Sequence, residues 1–403
     1  MRALPLASLR NISYVRRPNN FYPIMHPIYL DYAATTPVDP RVAEKLRFYL
    51  TSDGVFANPS SDHVLGHVAK QAVEVAREEV AALIKAEARE IIWTSGATEA
   101  NNLAIKGAAQ LYQRKGKHIV TIKTEHKTVL DSCQYLEKEG FRVTYLQTES
   151  NGVVDLEKFK AALTEETSLV SVMWVNNELG VIQDIQAMAE ITAARGIRLH
   201  VDAVQAIGKL EIDVRQTPVD LMSFCAHKIY GPKGIGGLYI RRKPRVHLAA
   251  QIHGGGQEQG LRSGTLATHQ IAAMGEAFRL ARQELHQDQQ KIQVLRARLL
   301  SGIQDLQPLI HGDLVQTVPN IINLRFAEIP ANKLLRAMPE VALSTASACM
   351  QANQTSHVLR ALGLSELEAK AAIRISFGRF TTEAEINFAV EQLHSAIGHC
   401  EGL

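Results

Sequence analysis

From residue 91 onward, short apolar runs alternate with stretches of helical spacing. The runs fall at 91–94, 118–122, 143–146, 169–174, 198–201, 219–224 and 237–240. Runs of this length joined by helical segments predict a mostly parallel, seven-stranded sheet covered by helices, an α/β architecture. Two helices are predicted before it. Asp39 and Pro40 read as an N-cap and first helical position for 40–50, with Val42, Leu46 and Tyr49 on one face. Val64, Val68, Ala72, Ala76, Val80 and Leu83 recur at helical spacing in the second. A long periodic stretch over 268–305 leaves this unit and enters another, where a strand at 320–325 and helices at 356–362 and 383–397 give an α+β pattern.

Composition narrows the functional classes. At about 150 residues per domain, the 403 residues predict two or three domains. A net charge of +3 gives no reason to expect nucleic acid or another polyanion. No apolar run approaches the roughly 20 residues of a membrane helix. Cys133, Cys225, Cys349 and Cys400 lack metal-ligand spacing, which fits free thiols in a reducing compartment. Residues 1–30 carry Arg2, Arg10, Arg16 and Arg17 and no acid. Such a leader is either a mitochondrial presequence or an unstructured tail, with Met25 as an alternative start. Pro5, Pro18 and Pro23 interrupt an amphipathic helix, so the tail and a cytoplasmic protein are the expectation, with a mitochondrial one as the alternative.

The ends of the predicted strands carry the chemistry. Lys228 leaves an apolar run into the glycine-rich segment 231–237. A lysine that loses hydration there becomes a nucleophile and can hold an aldehyde cofactor as a Schiff base. The plainer reading is a surface lysine at a strand end. Asp202 ends the preceding strand on the same edge, where open α/β sheets bind ligands. A carboxylate there can keep a pyridine nitrogen protonated, or simply cap the next turn. Gly96, Ala97 and Thr98 open a helix after a strand, a ready phosphate site, although the Ser/Thr and Glu residues there also read as ordinary helix capping. His126 and Asn177 follow two more strands on this edge.

Other segments are less decisive. Residues 253–256 and 262–265 form a Gly-rich polar stretch that is not a dinucleotide fingerprint, and Thr265 in it is a second candidate phosphate donor. Cys349 sits among small polar residues, the setting of a reactive thiolate on an exposed loop. Cys133 shares a helical face with Val129, Leu130 and Leu136 and reads as core, and Cys400 as incidental. Arg374, inside an apolar strand, needs an anion: a substrate carboxylate or an internal acid.

In this order the segments SGATE, TEH, VNNE, HVDAVQ, HKIYGPKG, RSGT and SAC resemble the cysteine desulfurases, pyridoxal-phosphate enzymes that supply sulfur for iron–sulfur clusters and tRNA thiolation. The likeness runs from Tyr29 to Thr382 and is strongest to the housekeeping type with a long catalytic-cysteine loop. The resemblance implies fold type I of the pyridoxal-phosphate enzymes. It divides the chain into a leader, 1–25, a large domain, 38–285, and a small domain of 26–37 with 286–403. It implies that Lys228 holds the cofactor and moves the Cα proton. It sets His126 over the ring, Asp202 at the pyridine nitrogen, and Gln205 and Asn177 near the ring hydroxyl. It puts Ala97, Thr98, Cys225 and His227 around the phosphate, with Thr265 reaching the other subunit of a homodimer. Arg374 and Asn177 meet the substrate, L-cysteine. Cys349 accepts the sulfur, and is a candidate transient iron–sulfur ligand although no resident metal is implied.

Two departures stand out. Position 225 is cysteine where the family usually has serine. The sequence ends at Leu403, where housekeeping members continue into a tail that helps dock the cluster scaffold, so the resemblance leaves that docking open. A selenocysteine lyase is the nearest alternative. A sulfur-relay docking partner and a nicotinamide dehydrogenase are the alternatives from other classes.

Overall fold

The structure, a computed structural model, describes residues 12–17, 20–25, 27–327, 329–345 and 355–401. Strands β1 (Ile12–Arg17) and β2 (Asn20–Met25) pair antiparallel. This corrects, for those segments, the expectation of an unstructured leader. Their β-branched and aromatic residues favour extended backbone, and a proline that excludes a helix is compatible with an edge strand. The short β3 (Ile28–Tyr29) follows, then α1 (Pro40–Phe48) and α2 (Val64–Leu83). Asp39 caps α1 by accepting from Arg41 N–H at 3.0 Å.

The large sheet is built from β4 (Ile91–Thr94), β5 (His118–Ile122), β6 (Arg142–Leu146), β7 (Thr167–Met173), β8 (Arg198–Asp202), β9 (Leu221–Cys225) and β10 (Gly236–Ile240). Between them lie α3 (Ala97–Tyr112), α4 (Lys127–Lys138), α5 (Leu156–Ala162) and α6 (Ile185–Ala194). The spatial order is β4-β10-β9-β8-β7-β5-β6, parallel except for β10, which runs against both neighbours. Alternate residues feed two cores. Ile119, Leu169 and Leu221 pack with Leu103 and Ala108 of α3 and with Val129 and Cys133 of α4. Val120, Val170 and Met222 face the other way, into a core with Ile271, Met274 and Phe278. Covered on both faces, the strands read as continuous apolar runs. β9 starts at Leu221 and not at Val219; just before it, the Asp220 carboxylate accepts from Arg198 and from Leu199 N–H, each at 2.9 Å.

Ile271, Met274 and Phe278 belong to α7 (Thr268–Gly302), whose far end carries Ile292, Leu295 and Leu299 into a separate core. That core covers a four-stranded antiparallel sheet made of β11 (Leu309–His311), β12 (Ile321–Arg325), β14 (Ser344–Thr345) and β15 (Ile373–Ser376), in the order β11-β12-β15-β14. Helices α8 (Ala331–Ala337), α9 (His357–Ala361), α10 (Glu366–Ala371) and α11 (Glu383–Glu401) complete this part, with β13 (Val341–Ala342) paired in parallel to β3. Leu30, just after β3, is buried in the same core. Among the described residues no helix is long and apolar enough to cross a membrane.

Candidate active site

Because β10 runs against β4 and β9, those two strands point the same way as β5, β7 and β8. With β6, six strands therefore end on one edge, and five of them deliver residues to it. A cleft of about 500 Å³ opens there. Ala97 and Thr98 line it after β4, His126 after β5 and Asn177 after β7. Asp202 and Gln205 line it from β8, and Cys225, His227 and Lys228 from β9. Arg374 reaches it from β15. Thr265 is exposed and does not line the cleft of its own chain, and Cys349 lies outside the described residues.

Lys228 Nζ donates to Ala33 O at 2.7 Å and to Ala34 O at 2.6 Å, so two carbonyls from the segment after β3 hold the amine at the cleft. Asp202 is buried, accepting from Val204 N–H at 3.0 Å and from Asn101 Nδ2 at 2.8 Å. The plainer capping reading of Asp202 is thus present as well, on its other oxygen. His126 caps α4, its Nδ1 accepting from Thr128 N–H at 3.2 Å, and burial holds its imidazole below the usual range. Gln205 donates to Ala33 O at 2.9 Å and accepts from Lys209 Nζ at 2.6 Å. Burial pushes the Lys209 amine down to about 7, with Lys228 adding repulsion. Arg374 makes the internal ion pair that the sequence left as one of two readings, 2.8 Å from Asp31.

At the other end of the cleft the backbone is arranged for an anion. Gly96 is the N-cap of α3, and no side chain caps that helix end. Glu99 instead accepts from Ser95 N–H at 2.8 Å and pairs with Arg262 at 2.8 Å. The first turn of a sixteen-residue helix, without a side-chain cap, presents N–H groups and the positive end of its dipole. Gly236 presses on this turn, where an added Cβ would lie 2.8 Å from Gly96 Cα. Burial and the Lys228 charge push His227 down to about 4, and burial pushes the Cys225 thiol up to about 11. Both are therefore neutral near pH 7, and each can donate without adding charge.

An amine, a buried carboxylate, a neutral imidazole and an anion-binding helix end around one cleft fit pyridoxal phosphate, and with the doubly covered sheet they define a pyridoxal-phosphate enzyme of fold type I. Residues 28–388 match the aminotransferase class-V family. The chain is 58% identical over 374 residues to the cysteine desulfurase IscS of Vibrio campbellii, covering 92% of this chain and 93% of that one. It is 55% identical over 380 residues to the cysteine desulfurase IscS of Klebsiella pneumoniae, with 94% of each covered. A solved NifS-like protein superposes with a TM-score of 0.87 at 36% identity, over 93% of this chain and all of that one. The chain belongs to the class-V aminotransferases and, within them, to the IscS-type cysteine desulfurases.

Asn101, Thr128 and Lys209 also stand at this site, and sequence reasoning did not single them out. Asn101 and Thr128 lie within helical patterns, and Lys209 just after a turn. Only their spacing from SGATE, TEH and HVDAVQ could have drawn attention to them.

Proposed function

We propose that the protein is a pyridoxal-phosphate-dependent desulfurase that converts L-cysteine to L-alanine and passes the sulfur, as a persulfide, toward iron–sulfur cluster assembly. The convergence of Lys228, Asp202, His126 and Arg374 on one cleft carries this reading. Identity of 58% to a cysteine desulfurase supports it over a selenocysteine lyase or a docking partner. When bound, the pyridoxal ring supplies an electron sink for charge developed at the substrate Cα.

The chain's own residues divide the work. The α3 end, Thr98, His227 and Cys225 hold the phosphate. Asp202 would keep a proton on the ring nitrogen, and His126 would cover the ring face. Gln205 would have its second amide hydrogen for the cofactor's hydroxyl, since the first is held by Ala33 O. Arg374 takes the substrate carboxylate by a charge-assisted fork. Lys228 would hold the cofactor through Nζ, and its amine would take the substrate's Cα proton. Cys349 thiolate attacks the substrate sulfur. The new S–S bond forms as Cβ–S breaks, and the electron pair left on carbon is protonated, giving alanine.

Thr265 is exposed outside its own cleft, which supports a homodimer in which it serves the neighbour's phosphate. The named relatives are bacterial, which supports a cytoplasmic over a mitochondrial setting. Docking to a cluster scaffold belongs to the same proposal. Cys349→Ser tests the assignment of the sulfur acceptor. It should bind cofactor and yet form no more than trace alanine, and peptides of cysteine-treated wild type should carry persulfide at Cys349. Persulfide confined to Cys133, Cys225 or Cys400 would contradict it.

A further inference from the structure

Asp202 and His126 stand on different strand ends, and two side chains join them. Asn101 on α3 is 0% exposed. Its Nδ2 donates to Asp202 Oδ2 at 2.8 Å and to Thr128 Oγ1 at 2.9 Å. Thr128 Oγ1 in turn lies 3.0 Å from His126 Nδ1. Thr128 N–H reaches the same nitrogen at 3.2 Å.

The protons along this chain can be counted. A carboxylate only accepts, so the amide must turn Nδ2 toward Asp202, because the reverse orientation would set two oxygens against each other. An amide nitrogen has two hydrogens, and the two contacts use both. Thr128 Oγ1 therefore accepts from Asn101, and because Thr128 N–H already points at Nδ1, that nitrogen is an acceptor and the hydroxyl hydrogen is the one that bridges Oγ1 and Nδ1. The one lone pair of Nδ1 is then shared between the hydroxyl at 3.0 Å and the backbone N–H at 3.2 Å. In a neutral imidazole that leaves the ring proton on Nε2. The arrangement has a visible cost. Asn101 Oδ1 is buried with no partner among the described residues. A buried amide oxygen left unpaired marks a side chain kept for what its other end does.

We propose that Asn101 and Thr128 are positioning residues that lock His126 in the Nε2–H tautomer and tie its orientation to Asp202. This rests on the reading of Asp202 and His126 as parts of the cofactor site. With Nδ1 engaged at the start of α4, His126 offers the cleft an N–H donor and not a lone pair. It begins turnover equipped to give a proton, while Lys228 is the group that takes one. The titratable groups around the ring are Asp202 on β8, Lys228 after β9, Asp131 on α4 and His357 on α9.

The tautomer is directly measurable. In the full-length protein carrying isotopically labelled histidine, long-range proton–nitrogen spectra report each ring nitrogen, in cofactor-free and loaded forms. His126→Gln assigns the signal by its loss. Near neutral pH the wild type should show a protonated Nε2 and a bare Nδ1. Thr128→Val removes the hydroxyl and keeps the backbone donor, so it should weaken the tautomer preference and raise the ring pKa by roughly half a unit to one unit, the effect of losing one neutral donor to Nδ1. Thr128→Ser should restore both. A wild-type proton on Nδ1, or a Thr128→Val spectrum identical to wild type, overturns the proposal. If Thr128→Val does not fold, the wild-type tautomer alone decides. The readout needs no turnover, so a protein with the expected tautomer and no desulfurase activity contradicts the functional reading and not this one.

Discussion

Asp31 and Arg374 form an ion pair at 2.8 Å across 343 residues of sequence. Arg374 is 3% exposed, and its other terminal nitrogen donates to Asn177 O at 2.9 Å. The guanidinium is thus held flat at the cleft before any substrate arrives. Such preorganisation suits recognition of a carboxylate by two parallel bonds.

Arg374→Lys should therefore raise KM for cysteine far more than it lowers kcat. The charge survives, but the fork is lost. Losing one charged hydrogen bond corresponds to about tenfold to a hundredfold in affinity. Initial-rate kinetics check this, and an unchanged KM would mean that the substrate carboxylate binds elsewhere.

Cys225 is 1% exposed and lines the cleft beside the α3 end. A thiol donates weakly to a phosphate, and a hydroxyl donates better. Cys225→Ser should keep its activity and hold pyridoxal phosphate more tightly by on the order of 1 kcal/mol, about fivefold in dissociation constant. Removal of cofactor by a carbonyl scavenger, followed by titration of both proteins, measures the difference. Equal or weaker binding by the serine variant would show that this position does not donate to the phosphate.

The strand ends were legible because burial on both faces writes each central strand as an uninterrupted apolar run, and the residue after the run stands on the ligand edge. Lys228 and Asp202 were singled out that way, and His126, on the same edge, only with the resemblance; all three line the cleft. Asn101 and Thr128 were not, because a polar residue at a helix start or on a helix face reads as capping or solvation until a partner from another element is seen. Lys209 was missed for a similar reason, since its partner Gln205 lies only one turn away and the burial of its amine is a tertiary effect. The hairpin of β1 and β2 was hidden by prolines that argued correctly against a helix and said nothing about a strand. Cys225 was legible as a departure, but its raised thiol pKa required knowledge of its burial.

Glu178 predicts how stability changes with pH. It is buried, accepts from Ser356 Oγ at 2.5 Å, and burial raises its carboxyl from 4.5 to about 7. Below its unfolded value the group is protonated in both states, and its contribution is fully present. As pH rises toward about 7, only the unfolded chain ionises it, so the folded state loses stability, by roughly 3 kcal/mol across the window. His227, with its pKa pushed down to about 4, acts oppositely, losing stability as pH falls. Glu178→Gln keeps an acceptor for Ser356 and removes only the first effect. Denaturant unfolding across this pH range should show wild type losing more stability than the variant as pH rises. Parallel curves for the two proteins would contradict the assignment.

The central claim is that Lys228 is the amine through which this fold holds pyridoxal phosphate and turns over cysteine. Its most direct test is to purify wild type and Lys228→Ala, record the visible absorption of bound cofactor, reduce a portion of each with borohydride, and in the rest measure the alanine formed from L-cysteine and the sulfide that an added dithiol releases from the persulfide. The account predicts a borohydride-fixed cofactor on the peptide containing Lys228, with alanine and sulfide in equal amounts, in wild type alone. A fixed cofactor or alanine production in Lys228→Ala, or a wild type that binds cofactor and leaves cysteine intact, would contradict it.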